Sequence, residues 1–424
     1  MKLDLPRGMR DLPQEDAFYI HYIREKFYEI TVCYNFQIIE PSPIELLSTL
    51  EAKSGESIIN EVYSFKDKGS RDIALRYDLT IGMTRFAVSK REMRIPLKLA
   101  NFGGVFRYDE PQAGRYRYFH QWDLEIYDNF TTDAEAEIID FVSHFFSTLN
   151  LETIIEISDR RILEEYIKIR YGLEDESSIG NLFRAIDKVP KKGISKVCIE
   201  YKAILDEEIL KDLLEISSFK GGIKDLISHE KLKEIKSIRY LQELFSSLEL
   251  RGIQNIRVNL GIVRGLDYYS GIVFEVFDTL SNVGALVGGG RYDKLTHIFG
   301  RPEIGAAGAA GGIERIILAL QYHNKLPTNI KKIIYIANSN ESVRNSALSI
   351  LSNLRKKGYT VDYDLANRSL RKQLYDASAK GVYFTIIIAP EEISKNKVII
   401  KNMKSGKETV ETLESLDKKI SQYL

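Results

Sequence analysis

The sequence predicts an α+β protein of two units, an antiparallel-sheet body carrying a helical insertion and then a small C-terminal α/β domain. Three observations carry this expectation. Strand-like runs at residues 65–76, 97–106, 124–127, 257–260 and 272–277 arrive in hairpin-like succession, which favours antiparallel pairing. Residues 160–251 are almost wholly helix-like and rich in Leu, Ile, Lys and Glu. Past a polar, proline-bearing connector at Leu326-Pro327-Thr328-Asn329, apolar runs at 333–337, 360–363 and 384–388 alternate with helical stretches at 342–357 and 369–379. That alternation is the pattern of a mostly parallel α/β sheet. The expected boundaries are 1–325 for the body, with its insertion at about 160–251, and 330–424 for the C-terminal domain.

Composition narrows the class. A chain of 424 residues is too long for one ordinary core, and 44% hydrophobic with 28% charged residues describes a folded protein. No apolar run approaches the roughly 20 residues of a spanning helix, and the first residues lack a signal-peptide hydrophobic region, so a cytoplasmic protein is expected. The only cysteines, Cys33 and Cys198, lie far apart and outside any ligand-like cluster, which argues against a disulfide framework or a structural zinc site. Net charge is zero but unevenly spread. Residues 331–424 hold 17 Lys and Arg against 10 Asp and Glu, a surplus of +7 balanced by −7 in the rest. Such a tail could dock a polyanion or simply be a solvated lysine-rich surface.

Within the body, residues 133–149 read as an amphipathic helix capped by Thr132, with Glu135 three residues on completing a capping box. Three polar constellations interrupt the strand pattern. In the first, residues 106–125, Arg107 ends one strand, an Arg-rich loop containing Arg115 follows, and the chain returns through Gln121, Asp123 and Glu125. The two-residue period puts those three on one face and Trp122 and Leu124 on the other. Guanidinium groups suit phosphates and carboxylates suit cationic groups, although a salt-bridged edge hairpin has the same composition. The second pairs residues 260–271, where Arg264, Tyr268 and Tyr269 stand among glycines, with Gly288-Gly289-Gly290-Arg291-Tyr292-Asp293. Paired tyrosines can wall a pocket, while the triple glycine reads more readily as a turn or bulge than as a phosphate cradle, since no P-loop Lys-Ser/Thr follows. In the third, small residues from Gly305 pack closely against a helix starting near Gly312. Arg315 then falls in the first turn, where the helix dipole disfavours a cation unless an anion answers it.

These segments, in this order, resemble class II histidyl-tRNA synthetases. The 264–271 and 288–293 segments are similar to the two histidine-specific signatures, and 106–125 and 305–320 to class II motifs 2 and 3. Residues 5–11 resemble the family's N-terminal signature, and 368–374 its anticodon-domain motif. The resemblance implies a class II catalytic domain with an anticodon-binding domain behind it, and a ligase that activates L-histidine with ATP and Mg²⁺ and transfers it to tRNA(His). Asp78, Leu79 and Thr80 would hold the substrate amino group. Gln121 and Glu125 would bind histidine, and Tyr268 and Tyr269 would shape its side-chain pocket. Arg107 would grip the ATP α-phosphate and the substrate carboxylate, and Arg264 would stand over the same phosphate; these two are the catalytic candidates. Arg115 would reach the outer phosphates and Arg315 the γ-phosphate. A homodimer is implied, although residues 36–47 match the dimer-forming motif 1 only loosely. No metal ligands stand out, and the six histidines, His120 included, read as structural. Competing readings are a non-aminoacylating regulatory paralogue acting in histidine biosynthesis, a class II synthetase of another specificity, and a pure tRNA-binding module. The first typically lacks the C-terminal domain, the second lacks the 264–271 signature, and the third needs no set of arginines around a nucleotide.

Overall fold

Apolar residues at three- and four-residue spacing make the first long element: the helix Gln14–Cys33 buries Ile20, Ile23, Phe27 and Ile30 along one stripe. Strand β1 (Gln37–Ile38) follows, then a small three-stranded sheet of β2 (Ile44–Leu46), β3 (Ser64–Lys66) and β4 (Asp72–Leu75). The run 65–76 is therefore a hairpin and not one strand. Asp67 accepts backbone N–H groups from Gly69 (2.8 Å) and Arg71 (2.9 Å), an Asx-type turn that reverses the chain. After the helix Thr80–Ser89 comes the longest hairpin, β5 (Leu97–Phe106) and β6 (Tyr118–Asp128), then the helix Asp133–Thr148 and β7 (Thr153–Asp159). Helices occupy most of 160–250, with the two-residue β8 (Lys220–Gly221) among them. Strands β9 (Ile256–Asn259), β10 (Ile272–Asp278), β11 (Ala285–Arg291) and β12 (Gly305–Gly312) complete the unit. This computed structural model describes residues 3–54, 56–108, 116–128, 130–202, 204–263, 269–328 and 332–423.

The main sheet runs β1-β5-β6-β12-β11-β10-β7-β9-β8, antiparallel throughout except for β1–β5 and β7–β9. Its two faces differ in kind. On one, Trp122 and Leu124 of β6 pack with Phe27, Phe141 and Phe145 in a large apolar core, the Trp122 ring 5.6 Å from those of Phe27 and Phe145. Truncating such a fully buried aromatic costs about 3–5 kcal/mol. The other face carries Gln121, Asp123, Glu125 and Tyr127 and is covered in part by Leu79, Met83, Tyr269 and Tyr292.

Two local expectations fail for long-range reasons. Thr132 does not cap its helix: it has helical angles (φ −72°, ψ −7°) and makes no side-chain capping bond. Glu135 turns inward instead, where Arg291 donates to both its oxygens at 2.7 and 2.6 Å, and a bidentate buried pair outweighs a cap worth ~1 kcal/mol. The triple glycine is neither turn nor bulge but the middle of β11, and the register shift lies nearer the strand's start, between Val276 and Phe277 of its partner. A Cβ on Gly289 would come within 2.5 Å of both the Phe274 ring and the Gly308 carbonyl, so close packing, not chain reversal, requires the glycine.

Internal contacts divide the chain into Met1–Pro327 and Thr328–Leu424. In the second unit β13 (Ile334–Asn338), β14 (Val361–Tyr363) and β15 (Phe384–Ile388) are parallel, in the order β14-β13-β15. Alternation along β13 sends Ile334 and Ile336 toward the helix Arg344–Lys356, and Tyr335 and Ala337 toward the helix Leu370–Ala379. The sheet is parallel only in this half. Strands β16 (Lys397–Asn402) and β17 (Glu408–Thr412) extend it as an antiparallel hairpin.

Candidate functional site

Long side chains on β6 stand beside glycine and alanine on β12, which leaves a trough on the polar face of the main sheet. Gln121 is opposite Gly103 on β5 and Gly312 on β12; Asp123 is opposite Asn101 and Ala310; Glu125 is opposite Leu99 and Gly308. One strand further, Gly308 faces Gly290 and Ala310 faces Gly288. Two of these glycines are obligatory. A Cβ on Gly308 would lie 1.7 Å from Glu125 Oε2, and Gly290 has φ +149° with the Ile272 carbonyl 2.4 Å from where its Cβ would be.

Hydrogen bonds tie the end of the trough to the turn before the helix Thr80–Ser89. Asp78 accepts the backbone N–H of Ile81 at 3.2 Å, and Leu79 is fully buried at the helix start. Asp123, fully buried, accepts from Thr80 Oγ1 at 3.1 Å on one oxygen and from Gln121 Nε2 at 2.7 Å on the other. Asp123 thus locks residues 78–80 against β6, a role the sequence hints at only through its position between Gln121 and Glu125. Arg107, half-buried just past β5, donates to the Tyr77 carbonyl at 3.1 Å and lies over the Phe119 ring. Its guanidinium is held next to the 77–80 turn by a carbonyl acceptor and an aromatic face.

Glu125 is 1% exposed and accepts from the Tyr292 hydroxyl. Burial, and then the Glu125 charge, push the Tyr127 and Tyr292 phenols well above their ordinary range, so both remain protonated at neutral pH. Tyr269 is buried in the apolar group that holds both of them. The next residue is stitched to the end of β11: Ser270 donates its N–H to the Arg291 carbonyl (2.9 Å) and shares hydrogen bonds with Asp293, Oγ to Oδ2 and N–H to Oγ, each 3.1 Å. Arg115, Arg264 and Tyr268 lie outside the described residues.

Arg315 sits in the first turn of the helix Ile313–Tyr322, half-buried, and donates to the Ala285 carbonyl at 2.8 Å. Beside it Glu314 accepts the His120 N–H on both oxygens (3.1 Å) and pairs with Arg10 at 3.5 Å. The N-terminal segment is pinned to Tyr116 and Arg117, just before β6. Arg117 donates to the carbonyls of Arg7 and Gly8 (3.1 Å each), and Arg10 stacks on Tyr116 at 3.8 Å. Glu314, Arg10 and Tyr292 had no assigned part in the sequence reading, and no local pattern marks their pairing with residues more than a hundred positions away.

Chemically the trough offers acceptors at one end, a buried carboxylate beneath aromatic rings in its middle, and a cation next to the amino-terminal turn of a helix. It suits a zwitterionic or cationic small molecule brought against an anion. The family model described as histidyl-tRNA synthetase matches residues 8–316, and the anticodon binding domain model matches 332–423. Similar curated proteins include the histidine–tRNA ligases of Thermococcus kodakarensis, 31% identical over 96% of this chain and 95% of that one, and of Pyrococcus furiosus, 32% identical over 95% of each. A solved histidyl-tRNA synthetase from Nostoc sp. PCC 7120 superposes over the whole of both chains with a TM-score of 0.81 at 22% identity. The apo enzyme of S. aureus does so over 98% of this chain and 99% of its own, with a TM-score of 0.73 at 25% identity.

Proposed function

The chain belongs to the histidyl-tRNA synthetase family, and from that premise we propose that the trough on β5, β6, β11 and β12 is where it activates histidine. The enzyme is a histidine–tRNA ligase that uses ATP. In the first step a histidine carboxylate oxygen attacks the α-phosphorus of ATP, the α–β phosphoanhydride breaks and pyrophosphate leaves. In the second the tRNA 3′-terminal hydroxyl attacks the acyl carbon and AMP leaves. The carboxylate is already a nucleophile at neutral pH, so the first step calls for positioning and charge stabilisation and no general base.

Residue roles follow on that reading. Asp78 and Thr80, with Leu79 between them, meet the substrate ammonium, and Asp123 keeps that turn in place. Gln121 and Glu125 take the rest of histidine, with Tyr268 and Tyr269 walling the ring. Arg107 bridges the substrate carboxylate and the α-phosphate, Arg264 adds charge at the same phosphate, and Arg115 and Arg315 take the outer phosphates. Arg315, in a first turn where the helix dipole favours anions, would meet one there. Mg²⁺ would arrive on ATP: among the described residues no three His, Cys, Asp or Glu side chains converge as a metal site, and this ion favours phosphate and water ligands. Bound there it would neutralise the leaving pyrophosphate. The second unit, with its basic surplus, would read the anticodon region of tRNA(His). A cytoplasmic homodimer completes the reading; among the described residues no helix is long and apolar enough to cross a membrane.

The observation that carries the assignment is Glu125, a carboxylate buried over glycine in the middle of a polar trough. A buried carboxylate is held by hydrogen-bond donors, here the Tyr292 hydroxyl, and an imidazole N–H is a donor of the same kind. Glu125→Gln keeps size and removes charge. In histidine-dependent ATP–pyrophosphate exchange it should raise the KM for histidine far more than the KM for ATP; an unchanged histidine KM removes Glu125 from the site.

A further inference from the structure

Tyr292 stands between the end of strand β11 and the short helix Asp293–Ile298. Its side chain is buried among Leu79, Met83, Tyr127 and Tyr269, and its backbone N–H is bonded to the Ala306 carbonyl at 2.7 Å. Packing alone would be served as well by phenylalanine, and burying an extra hydroxyl is unfavourable unless it is bonded. The hydroxyl is bonded: it donates its one proton to Glu125 Oε2, with the Tyr127 hydroxyl beside it. Tyr127 in turn donates to Thr84 Oγ1 (3.0 Å), Thr84 donates to the Thr80 carbonyl (2.8 Å), and Thr80 donates to Asp123, which also holds Gln121. Two hydrogen-bonded sets therefore meet at the neighbouring Tyr292 and Tyr127 hydroxyls, one holding Glu125 and the other reaching the 78–80 turn and Gln121. Gly308 supplies the space that the Glu125 carboxylate occupies as it reaches toward Tyr292.

We propose that Tyr292 is a positioning residue for histidine selection, its hydroxyl fixing the Glu125 carboxylate so that it meets the imidazole N–H in a single orientation. The proposal rests on the reading of Glu125 as the imidazole acceptor. A carboxylate free to rotate in this pocket would pay an ordering cost on binding and would accept donors from several directions, whereas one pinned by a buried phenol is preorganised. Because the Tyr292 phenol stays protonated it can donate to the anion, which leaves Glu125 an acceptor that discriminates against flat rings without an N–H.

The test is a double-mutant cycle in histidine-dependent ATP–pyrophosphate exchange with the full-length wild type, Tyr292→Phe, Glu125→Gln and the double variant. Tyr292→Phe should raise the histidine KM by about 10-fold, the loss of one hydrogen bond to a charged group, with little change in the ATP KM or in thermal melting. In the Glu125→Gln background the same change should add less than about twofold. A Tyr292→Phe protein with unaltered histidine KM, alongside a Glu125→Gln protein in which it rises, overturns the role of Tyr292 and leaves Glu125 standing. Effects that multiply independently, or a parallel rise in both KM values with lower melting, make Tyr292 a packing residue and overturn the proposal. If Glu125→Gln itself leaves the histidine KM unchanged, the underlying reading of Glu125 fails and this one with it.

Discussion

Placing one methyl group on Gly308 should cripple histidine recognition while leaving the nucleotide site alone. Gly308 of β12 is directly across from Glu125 of β6, and a Cβ there would lie 1.7 Å from Glu125 Oε2 and 2.8 Å from the Leu124 carbonyl. Contacts under 3.0 Å are essentially never tolerated, so the carboxylate must retreat by about 1.3 Å while the backbone contact needs only a few tenths. The side chain, not the sheet, is the part that gives way. A retreat of that size breaks the bond from Tyr292, and a hydrogen bond to a charged group contributes about 1.5–3 kcal/mol. At ~1.4 kcal/mol per decade, Gly308→Ala should raise the histidine KM by roughly 10- to 150-fold. Pyrophosphate exchange with histidine and ATP varied separately gives both KM values, and circular dichroism melting checks the fold. A histidine KM within about twofold of wild type, with the substitution confirmed, would refute the argument that this glycine exists to make room for Glu125.

Two further outcomes test other parts of the structure. Glu156 is buried on β7, where burial alone would raise its pKa, but hydrogen bonds from Arg257, Lys220 and Asn259 hold it below the ordinary glutamate range. Its stabilisation is therefore full above that range and lost as pH falls through it and below, so Glu156→Gln should cost about 1–3 kcal/mol at neutral pH, with the gap in melting temperature to wild type closing on acidification; a gap constant with pH contradicts this. A protein ending at Pro327, shown by melting to be folded, should still make histidyl-adenylate but charge tRNA(His) poorly, and charging by the whole chain should weaken as salt rises. Equal charging by the shortened protein would remove the second unit from tRNA recognition.

What could be read from the sequence was whatever one segment decides alone. Alternation along residues 121–125 separates Gln121, Asp123 and Glu125 from Trp122 and Leu124, and the structure puts them on opposite faces as expected, because one face of β6 meets an aromatic core. The strand β12 was harder to foresee: Gly305–Gly312 has almost no β-propensity of its own and is a strand because Trp122 and Glu125 leave no room for larger residues. Gly288–Gly290 misled for the same reason, since Gly289 answers to Phe274 and Gly308, and Gly290 to Ile272, and not to a turn. Thr132 lost its cap to a partner of Glu135 far along the chain, and the hairpin within 65–76 turned on the single side chain of Asp67. The β16–β17 hairpin escaped notice because only Val398 and Ile400 of β16 are buried, among lysines that make the segment read as surface. The bonds that assemble the site, Thr80 to Asp123, Arg107 to Tyr77 and Tyr292 to Glu125, join segments whose meeting no local periodicity announces.

The most direct test of the account is ATP–pyrophosphate exchange by the full chain with each of the twenty amino acids in turn. Histidine alone should support exchange, and Arg107→Ala should lower it by about 100-fold or more if that guanidinium bridges carboxylate and α-phosphate. Exchange driven by another amino acid, or none with histidine from a folded protein, as expected of a regulatory relative, would contradict the assignment.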